Sequence, residues 1–362
     1  AAATALVFRL VTLAPPPVWG WAALRWLQRH RYLGPTPPGS MVEAGSVRKL
    51  LIPLVAGLVV VGCSSPDRSS SPSTTGASTT SESPPTLPPS TAPTGPDCVG
   101  TGVAERRSVQ YLADTGAAAD LTTLEVIGAD RPDGCGPAPV MVWVHGGGWQ
   151  TGDRRHQLED KAEWFTSRGW TLVSVNYRLS PEVQYPVHND DVAAAVGWVL
   201  DHAGELGVDP SRLSVMGHSA GAGIAAAVAT DPVHLGTVGR APGDVRCAVF
   251  LDTEGYDVEQ QAGRGIELYL DAFGEDPDVW RAASPIRHVT AGAGIPRSLV
   301  VTRGTARRRE TAAEFTSALE SAGVEARLLD ARPLTHAEVN DAVGDPDDDL
   351  VTPALAEFLL DC

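Results

Sequence analysis

The feature that most restricts the fold is the alternation of short apolar runs with helical patterns between residues 98 and 362. Several runs are apolar at every position, which is typical of strands covered on both faces. Such alternation predicts a mainly parallel sheet with right-handed crossovers and helices on both faces. The predicted strands are 108–112, 121–127, 140–144, 171–176, 213–216, 248–251, 298–302 and 326–329. The predicted helices are 157–167, 189–202, 220–229, 309–322 and 352–360.

The composition of the 362-residue chain is that of a globular protein, because 43% of its residues are hydrophobic and 20% are charged. This length allows one large α/β domain with appendages. The net charge is −16, from 28 basic and 44 acidic residues. Because binding to phosphates requires clustered Lys and Arg, this charge argues against nucleic acid as a partner.

Two segments ahead of residue 98 have compositions unsuited to a folded core. Residues 1–40 begin without Met and contain Pro15-Pro16-Pro17, which a helix cannot continue through. We expect a spurious or disordered upstream segment there, with the true start near Met41. Residues 63–97 are dominated by Ser, Thr, Pro and Gly, which predicts a disordered linker.

The segment at 41–62 has the pattern of a bacterial export signal. Arg48 and Lys49 precede an apolar run at 50–61, which is shorter than the roughly 20 residues that span a bilayer. With a small residue ahead of Cys63, it resembles a bacterial lipoprotein signal. The resemblance implies that Cys63 is acylated, and that the domain is extracytoplasmic and meets the membrane only through this lipid anchor. An uncleaved membrane anchor is the alternative, with the same location.

Four cysteines lie in the predicted domain at 98–362. In an exported protein they suggest two disulfides, with three possible pairings. We favour Cys98–Cys135, which would link the N-terminal edge, and Cys247–Cys362, which would tie the chain end to a central strand. Free buried thiols are the alternative.

A serine flanked by glycines is the sharpest chemical signal. Gly217-His218-Ser219-Ala220-Gly221 lies between the predicted strand at 213–216 and the predicted helix at 220–229. The glycines suit a turn in which backbone segments approach closely, and a helix N-terminus below the serine favours developing negative charge. This context predicts a nucleophile elbow with Ser219 as the nucleophile.

A second glycine-rich motif, His145-Gly146-Gly147-Gly148-Trp149, follows the predicted strand at 140–144. Bare glycines let backbone N–H groups approach a substrate oxygen. We expect the amides of Gly147, Gly148 and Ala220 to form an oxyanion hole.

These two motifs resemble the α/β-hydrolase superfamily, close to the hormone-sensitive-lipase-like and BD-FAE esterases. The resemblance covers most of residues 98–362. It implies an α/β-hydrolase fold with a mainly parallel central sheet, helices on both faces and a small cap insertion. It also implies a serine hydrolase of carboxylic esters that needs no metal or organic cofactor. Other residues that look like family positions are Asn176-Tyr177-Arg178-Leu179-Ser180-Pro181, Asp190-Asp191 with Trp198, and Trp280 ahead of Ser284-Pro285, of which Tyr177, Arg178 and Asp191 are expected to be scaffold.

The base of the family follows the nucleophile and the acid in chain order. His336, in Thr335-His336-Ala337-Glu338 after the last predicted strand, matches that position. The resemblance implies that His336 accepts the Ser219 proton and later delivers a proton to the leaving group.

The acid departs from the family pattern, because Arg307 occupies the position where family members usually have an Asp. Two carboxylates could replace it. Asp252 ends the predicted strand at 248–251, a rigid position that some lipases of this fold use. Glu310 lies at the start of a predicted helix. We favour Asp252 with Glu310 as the alternative; a Ser–His pair with a weak or absent acid is the third.

Residues 253–295 are long for a strand–helix connection and contain Tyr256, Tyr269, Phe273 and Trp280. Two interpretations are open. The segment forms a cap that shapes the acyl pocket, or its aromatic residues are ordinary packing.

The expected function is that of an extracytoplasmic serine carboxylesterase that hydrolyses short-chain or carbohydrate-linked esters through an acyl-enzyme. The acidic composition disfavours anionic substrates. One alternative is an amide or formamide hydrolase, because residues 145–149 also resemble the kynurenine formamidase motif. Another is a non-catalytic binding protein on the same fold, which Arg307 alone motivates.

Overall fold

Eight strands form one sheet in the part of the chain that the computed structural model describes, residues 98–362. They are β1 (Val103–Gln110), β2 (Thr123–Ala129), β3 (Ala138–Val144), β4 (Thr171–Val175), β5 (Val208–His218), β6 (Cys247–Leu251), β7 (Arg297–Thr302) and β8 (Ala326–Asp330). Their order in the sheet is β1-β2-β4-β3-β5-β6-β7-β8. The β1–β2 and β2–β4 pairs are antiparallel, and the other five pairs are parallel.

Eleven α-helices connect or follow these strands in the described residues. The first five are α1 (Glu159–Ser167), α2 (Val187–Asp201), α3 (Ala203–Leu206), α4 (Ala220–Thr230) and α5 (Pro232–Gly236). The remaining six are α6 (Val258–Ala262), α7 (Glu267–Phe273), α8 (Pro277–Ala282), α9 (Ala306–Ser321), α10 (His336–Asp341) and α11 (Val351–Leu359).

Apolar side chains cover both faces of the sheet. On β3, Val140, Val142 and Val144 belong to one buried cluster, whereas Met141 and Trp143 belong to another. This split follows from the alternation of side chains along a strand. Helices α2, α4 and α9 contribute to the first cluster, and α1, α10 and α11 contribute to the second. The predicted fold class is confirmed: a mainly parallel sheet with helices on both faces.

The bounds of three predicted strands differ most from the structure: two near one edge of the sheet, and the strand predicted at 213–216, which is β5 and begins at Val208. The strand predicted at 121–127 begins only at Thr123, because Ala119–Thr122 forms a 3-10 helix. The Thr123 hydroxyl donates a hydrogen bond of 2.7 Å to the carbonyl oxygen of Ala119 in that helix. The strand predicted at 108–112 is β1, which runs from Val103 to Gln110. As an edge strand with mostly exposed, polar residues, β1 carries little apolar pattern.

Six short helices are absent from the prediction. They are α3, α5, α6, α7, α8 and α10, each of four to seven residues. One or two turns are too short to produce a helical period in the sequence.

Both favoured disulfides are present. Cys98 is bonded to Cys135 and Cys247 to Cys362, with Cα–Cα distances of 5.7 and 5.9 Å. The predicted segments 1–40, 41–62 and 63–97, with the predicted lipidation site Cys63, lie outside the described residues. Among residues 98–362, no helix has both the length and the apolar character needed to cross a membrane.

Candidate active site

The register of the parallel strands brings four loops together at the carboxyl edge of the sheet. Val144 of β3 pairs with Gly217 of β5, and Leu251 of β6 pairs with both His218 of β5 and Val301 of β7. The residues that follow these strands are therefore neighbours in space, although they are far apart in the chain. This edge is where α/β sheets bind their ligands.

Ser219 lies in a sharp turn between β5 and α4. Its φ and ψ angles are 56° and −122°, and it is the N-cap residue of α4. A Cβ atom at Gly217 would lie 2.2 Å from the carbonyl oxygen of Gly221, and one at Gly221 would lie 2.3 Å from that of Val144. Only glycine fits either position, which explains the spacing of the motif. A non-glycine residue with positive φ stores backbone strain, as is common at functional sites.

Three side chains form a hydrogen-bonded chain at this turn. The Ser219 hydroxyl lies 2.9 Å from Nε2 of His336, and Nδ1 of His336 lies 2.5 Å from Oδ2 of Asp252. The structure therefore brings together the predicted nucleophile, the predicted base and the favoured acid. The alternative acid, Glu310, is exposed on α9 and has no hydrogen bond or ion pair with His336 among residues 98–362.

His336 is held by the start of a helix. It is the first residue of α10, and the Thr335 side chain caps that helix by accepting a hydrogen bond from the Glu338 amide. The Glu338 carboxylate in turn accepts a hydrogen bond from the Thr335 amide. This reciprocal pair is a capping box, which fixes the helix entry and thereby the imidazole.

Asp252 is a fully buried carboxylate in contact with two arginines. Its Oδ2 accepts a hydrogen bond of 2.7 Å from Nε of Arg303, and its Oδ1 accepts one of 2.6 Å from Nε of Arg308. Burial by itself raises the pKa of Asp252. The hydrogen bond with His336 and the two guanidinium groups outweigh burial and hold that pKa well below its usual value. The carboxylate is therefore ionised at neutral pH.

A second imidazole supports the base. Nε2 of His218 lies 2.9 Å from the carbonyl oxygen of His336, and the centroids of the two rings are 4.5 Å apart. Burial, together with the neighbouring His336 ring, lowers the pKa of His218 to about 3. His218 is therefore neutral near pH 7, and its Nε2–H donates the hydrogen bond to that carbonyl.

The predicted oxyanion loop lies directly beside Ser219. A Cβ atom at Gly146 would lie 3.1 Å from the Cβ atom of Ser219. Gly147 and Gly148 have φ angles of 120° and 63°, and their amides donate to no acceptor among the described residues. Ala220 is the first residue of α4, where an N–H group has no partner within the helix. All three predicted donors thus border the serine, two in the loop after β3 and one at the start of α4.

Residues 253–295 lie partly over this loop. A Cβ atom at Gly148 would lie 2.7 Å from Cδ1 of Leu268, so this leucine of α7 covers the glycine. The rings of Tyr269 and Phe273 each lie 5.1 Å from the ring of Trp149. Each interpretation has support: Leu268 of α7 covers Gly148, whereas the Tyr256 ring packs in the core, with its centroid 4.3 Å from that of Phe315. That the segment shapes an acyl pocket stays a prediction.

The expected scaffold residues make buried polar contacts behind the site. The Tyr177 hydroxyl donates to the carbonyl oxygen of His145, and the two rings stack with centroids 4.5 Å apart. Arg178 binds the fully buried carboxylate of Asp191 through Nε and Nη2. Burial lowers the pKa of His145 to about 4, so this imidazole is neutral at pH 7.

Three contributors to the site were missed from the sequence: Arg303, Arg308 and His218. The available signal was the cluster of arginines at 303–309, of which only Arg307 stands where the family usually has an Asp. Arg303 and Arg308 contribute because they lie next to Asp252, and the sequence does not show which arginines lie next to that residue. Within residues 98–362, no group of three or more His, Cys, Asp or Glu side chains could hold a metal ion.

Comparisons with known proteins agree with this geometry. A family described as the alpha/beta hydrolase fold matches residues 141–340. Carboxylesterase NlhH of Mycobacterium tuberculosis is 32% identical over 236 residues, which are 60% of this chain and 70% of that protein. The probable carboxylic ester hydrolase LipM of the same organism is 38% identical over 97 residues, 27% of this chain and 22% of LipM.

A solved structure of an esterase is also similar to this chain. The structure titled bacterial heroin esterase is 26% identical, with a TM-score of 0.55, and the match covers 72% of this chain and 83% of that chain. The names of these relatives confirm the predicted enzyme class, a carboxylic ester hydrolase. The chain belongs to the α/β-hydrolase family.

Proposed function

We propose that this chain is a serine carboxylesterase that works through an acyl-enzyme on Ser219. The observation that carries the proposal is the hydrogen-bonded chain from the Ser219 hydroxyl through His336 to Asp252, with distances of 2.9 and 2.5 Å. A serine that contacts one nitrogen of an imidazole, whose other nitrogen contacts a carboxylate, is the arrangement of an activated nucleophile.

In the acylation step, the Ser219 oxygen attacks the ester carbonyl carbon while Nε2 of His336 takes the hydroxyl proton. The carbonyl oxygen becomes an oxyanion, and the amides of Gly147, Gly148 and Ala220 donate hydrogen bonds to it. The positive end of α4 favours the same charge. His336 then gives its proton to the alcohol oxygen as the bond from carbon to that oxygen breaks.

In the deacylation step, water enters the space that the alcohol has left. His336 takes a proton from the water as its oxygen attacks the acyl carbon. The bond to the Ser219 oxygen then breaks, this oxygen recovers the proton, and the carboxylic acid leaves. Asp252 keeps the imidazole in the tautomer that carries hydrogen on Nδ1 and stabilises the imidazolium in both steps.

The proposed substrates are neutral short-chain or carbohydrate-linked esters. The support for a short acyl chain is that Leu268 lies over Gly148 and that the Trp149 and Phe273 rings pack against each other beside the oxyanion loop. The base is open to solvent, since 38% of the His336 side chain is exposed, and this suits a bulky alcohol. The net charge of −16 disfavours anionic esters.

The proposed location is extracytoplasmic, with a lipid anchor at Cys63. The support is the signal-like segment at 41–62 and the two disulfides of the domain, because disulfides persist in oxidising compartments. Detergent phase partition of the full chain expressed in a bacterium tests the anchor. The wild type should enter the detergent phase and Cys63→Ala the aqueous phase; equal partition of both would refute lipidation.

Labelling with a fluorophosphonate, beside hydrolysis of 4-nitrophenyl acetate, tests the catalytic proposal. We expect the wild type to be labelled at one site and the Ser219→Ala variant not at all. Turnover should fall in that variant by about 10⁶-fold, as for other serine hydrolases that lose their nucleophile. A folded wild type that neither takes the label nor hydrolyses the ester would refute the proposal. Ester panels of increasing acyl length and acetylated xylan then test the substrate class.

A further inference from the structure

Arg308 makes three hydrogen bonds with the segment that follows β6 and carries Asp252 and Glu254. Its Nε donates to Oδ1 of Asp252 at 2.6 Å, and its Nη2 donates to the backbone carbonyl oxygen of Asp252 at 2.9 Å. Its Nη1 donates to Oε2 of Glu254 at 2.7 Å. Only 17% of its side chain is exposed. One guanidinium thus binds the side chain and the backbone of the acid together with a second carboxylate.

The backbone of Asp252 needs such support. This residue has a φ of 49°, which is uncommon for a residue other than glycine. Its amide donates to the carbonyl oxygen of Val301, and Arg308 satisfies its carbonyl oxygen. Arg308 is itself aimed by the start of α9, where the Thr305 side chain caps the helix by accepting from the Arg308 amide.

The charges around the acid compensate one another. Asp252 and Glu254 carry two negative charges, and Arg303 and Arg308 carry two positive charges, so the group is neutral while His336 is neutral. Uncompensated, an ionised Asp252 would stabilise the imidazolium of His336 more strongly. The ionisable groups in direct contact with His336 are Asp252 and the neutral His218. Arg303 and Arg308 bind Asp252, and Glu254 binds Arg308. Lys161 lies near enough to His218 to help lower its pKa, and Glu338 is on the same helix as His336.

We propose that Arg308 is a positioning residue of the proposed esterase: it holds Asp252 in line with His336 and offsets part of the carboxylate charge. This inference rests on the proposed function only for its kinetic consequence. The geometric contact of Arg308 with the acid is independent of the reaction.

The two parts of this role, positioning and charge offset, require different properties of the side chain at position 308. The positioning needs the planar, three-way geometry of a guanidinium, which a lysine cannot reproduce. The charge offset needs only a cation. When the cation is removed, Asp252 stabilises the imidazolium more strongly, so His336 stays protonated to higher pH. The free base is the active form, and the acid limb of kcat/KM must therefore move to higher pH.

The experiment compares Arg308→Met and Arg308→Lys with Arg307→Met as the matched control. Arg307 is exposed, and among residues 98–362 its side chain has no ion pair or hydrogen bond. For each protein we measure the pH dependence of kcat/KM for 4-nitrophenyl acetate. We also follow the His336 imidazole by NMR titration, with its resonance identified by its loss in His336→Asn.

For Arg308→Met, we expect the acid limb and the NMR midpoint of His336 to rise together by about one pH unit. In Arg308→Lys both should stay at the wild-type pH while kcat falls about tenfold with little change in KM. Arg307→Met should match the wild type in all three readouts. Arg308→Gln serves as a second neutral variant if Arg308→Met does not fold.

The inference is wrong if the neutral variants leave the His336 midpoint unchanged or lower it, as would happen if Arg308 only stabilised the fold. An equal shift in Arg307→Met would also overturn it, because the effect would then be one of net charge. A wild type without esterase activity would refute the proposed function alone, since the NMR titration still reports on Arg308.

Discussion

The carboxylate that contacts His336 comes from Asp252, a different position from the one where the family usually has its acid. The position after β7 that usually supplies the acid is taken by Arg307, which is exposed. The carboxylate comes instead from the end of β6, one strand closer to Ser219, and reaches Nδ1 of His336 at 2.5 Å. Its backbone there is left-handed, and two arginines bind its carboxylate.

At this scale we predict that Asp252→Asn lowers kcat about 10⁴-fold while Glu310→Gln leaves it close to the wild-type value. The amide keeps the shape of the side chain, but it can hold His336 in the wrong tautomer and cannot stabilise the imidazolium. Ester hydrolysis by the two purified variants, assayed under the same conditions, decides between the carboxylates. A large loss in Glu310→Gln with activity retained in Asp252→Asn would show that Asp252 is not the acid.

The element that limits the site most strictly is α4. Each of its residues from Ala220 to Thr230 is buried, and it is built of Ala, Gly and a few β-branched residues. Small side chains let this helix approach β3 and β5 so closely that Gly221 lies against the backbone of Val144 and His145. The approach directs the helix N-terminus at Ser219. Packing of one helix thus sets both the stability of the core and the position of the nucleophile.

We therefore predict that Gly221→Ala lowers the free energy of unfolding by about 1–3 kcal/mol, the usual range for an overpacked core. A Cβ atom at this position would lie 2.3 Å from a carbonyl oxygen. The control is Gly204→Ala in α3, where nothing lies within 4 Å of the added atom, and helix propensity should stabilise it by up to about 1 kcal/mol. Urea unfolding measures both; equal stability of the two variants would contradict the packing argument.

For the whole molecule, the buried histidines determine how the domain responds to acid. Burial lowers the pKa of His145 and of His188 to about 4, and that of His218 to about 3. Unfolded histidines titrate near about 6.5. Below that pH the unfolded chain binds protons that the folded chain does not, so stability is present above about pH 6.5 and is lost as the pH falls. Asp252 acts in the same direction at lower pH, because its folded-state pKa is also depressed.

We predict that the free energy of unfolding decreases between about pH 6 and pH 4 with a limiting slope of about 4 kcal/mol per pH unit, since each histidine contributes about 1.4 kcal/mol per unit. Urea titrations at a series of pH values measure the slope. Of the three histidines, His188 is the one outside the two motifs beside Ser219. His188→Gln should reduce the slope by about a third. A free energy of unfolding that stays constant over this range would contradict the burial of neutral histidines.

The sequence alone determined the mainly parallel sheet and the position of the two glycine-rich turns beside Ser219. Strand positions follow from runs of apolar residues, and the turns at Gly217 and Gly221 follow from the need for bare backbone, so both are encoded within a few neighbouring positions. His336 was identified because it follows the last strand in the order that its family shows. The short helices and the edge strand β1 were missed or misplaced, because one or two turns and a mostly exposed strand leave no clear periodicity.

Only the tertiary structure decided which carboxylate meets the base and what surrounds it. Asp252 and His336 are 84 positions apart, and Arg308 is 56 positions from Asp252. Their proximity depends on the order of β5, β6 and β7 in the sheet and on the side-chain directions at the strand ends. No local pattern records these contacts, because hydrogen bonds between distant loops depend on how the sheet is assembled and not on neighbouring residues.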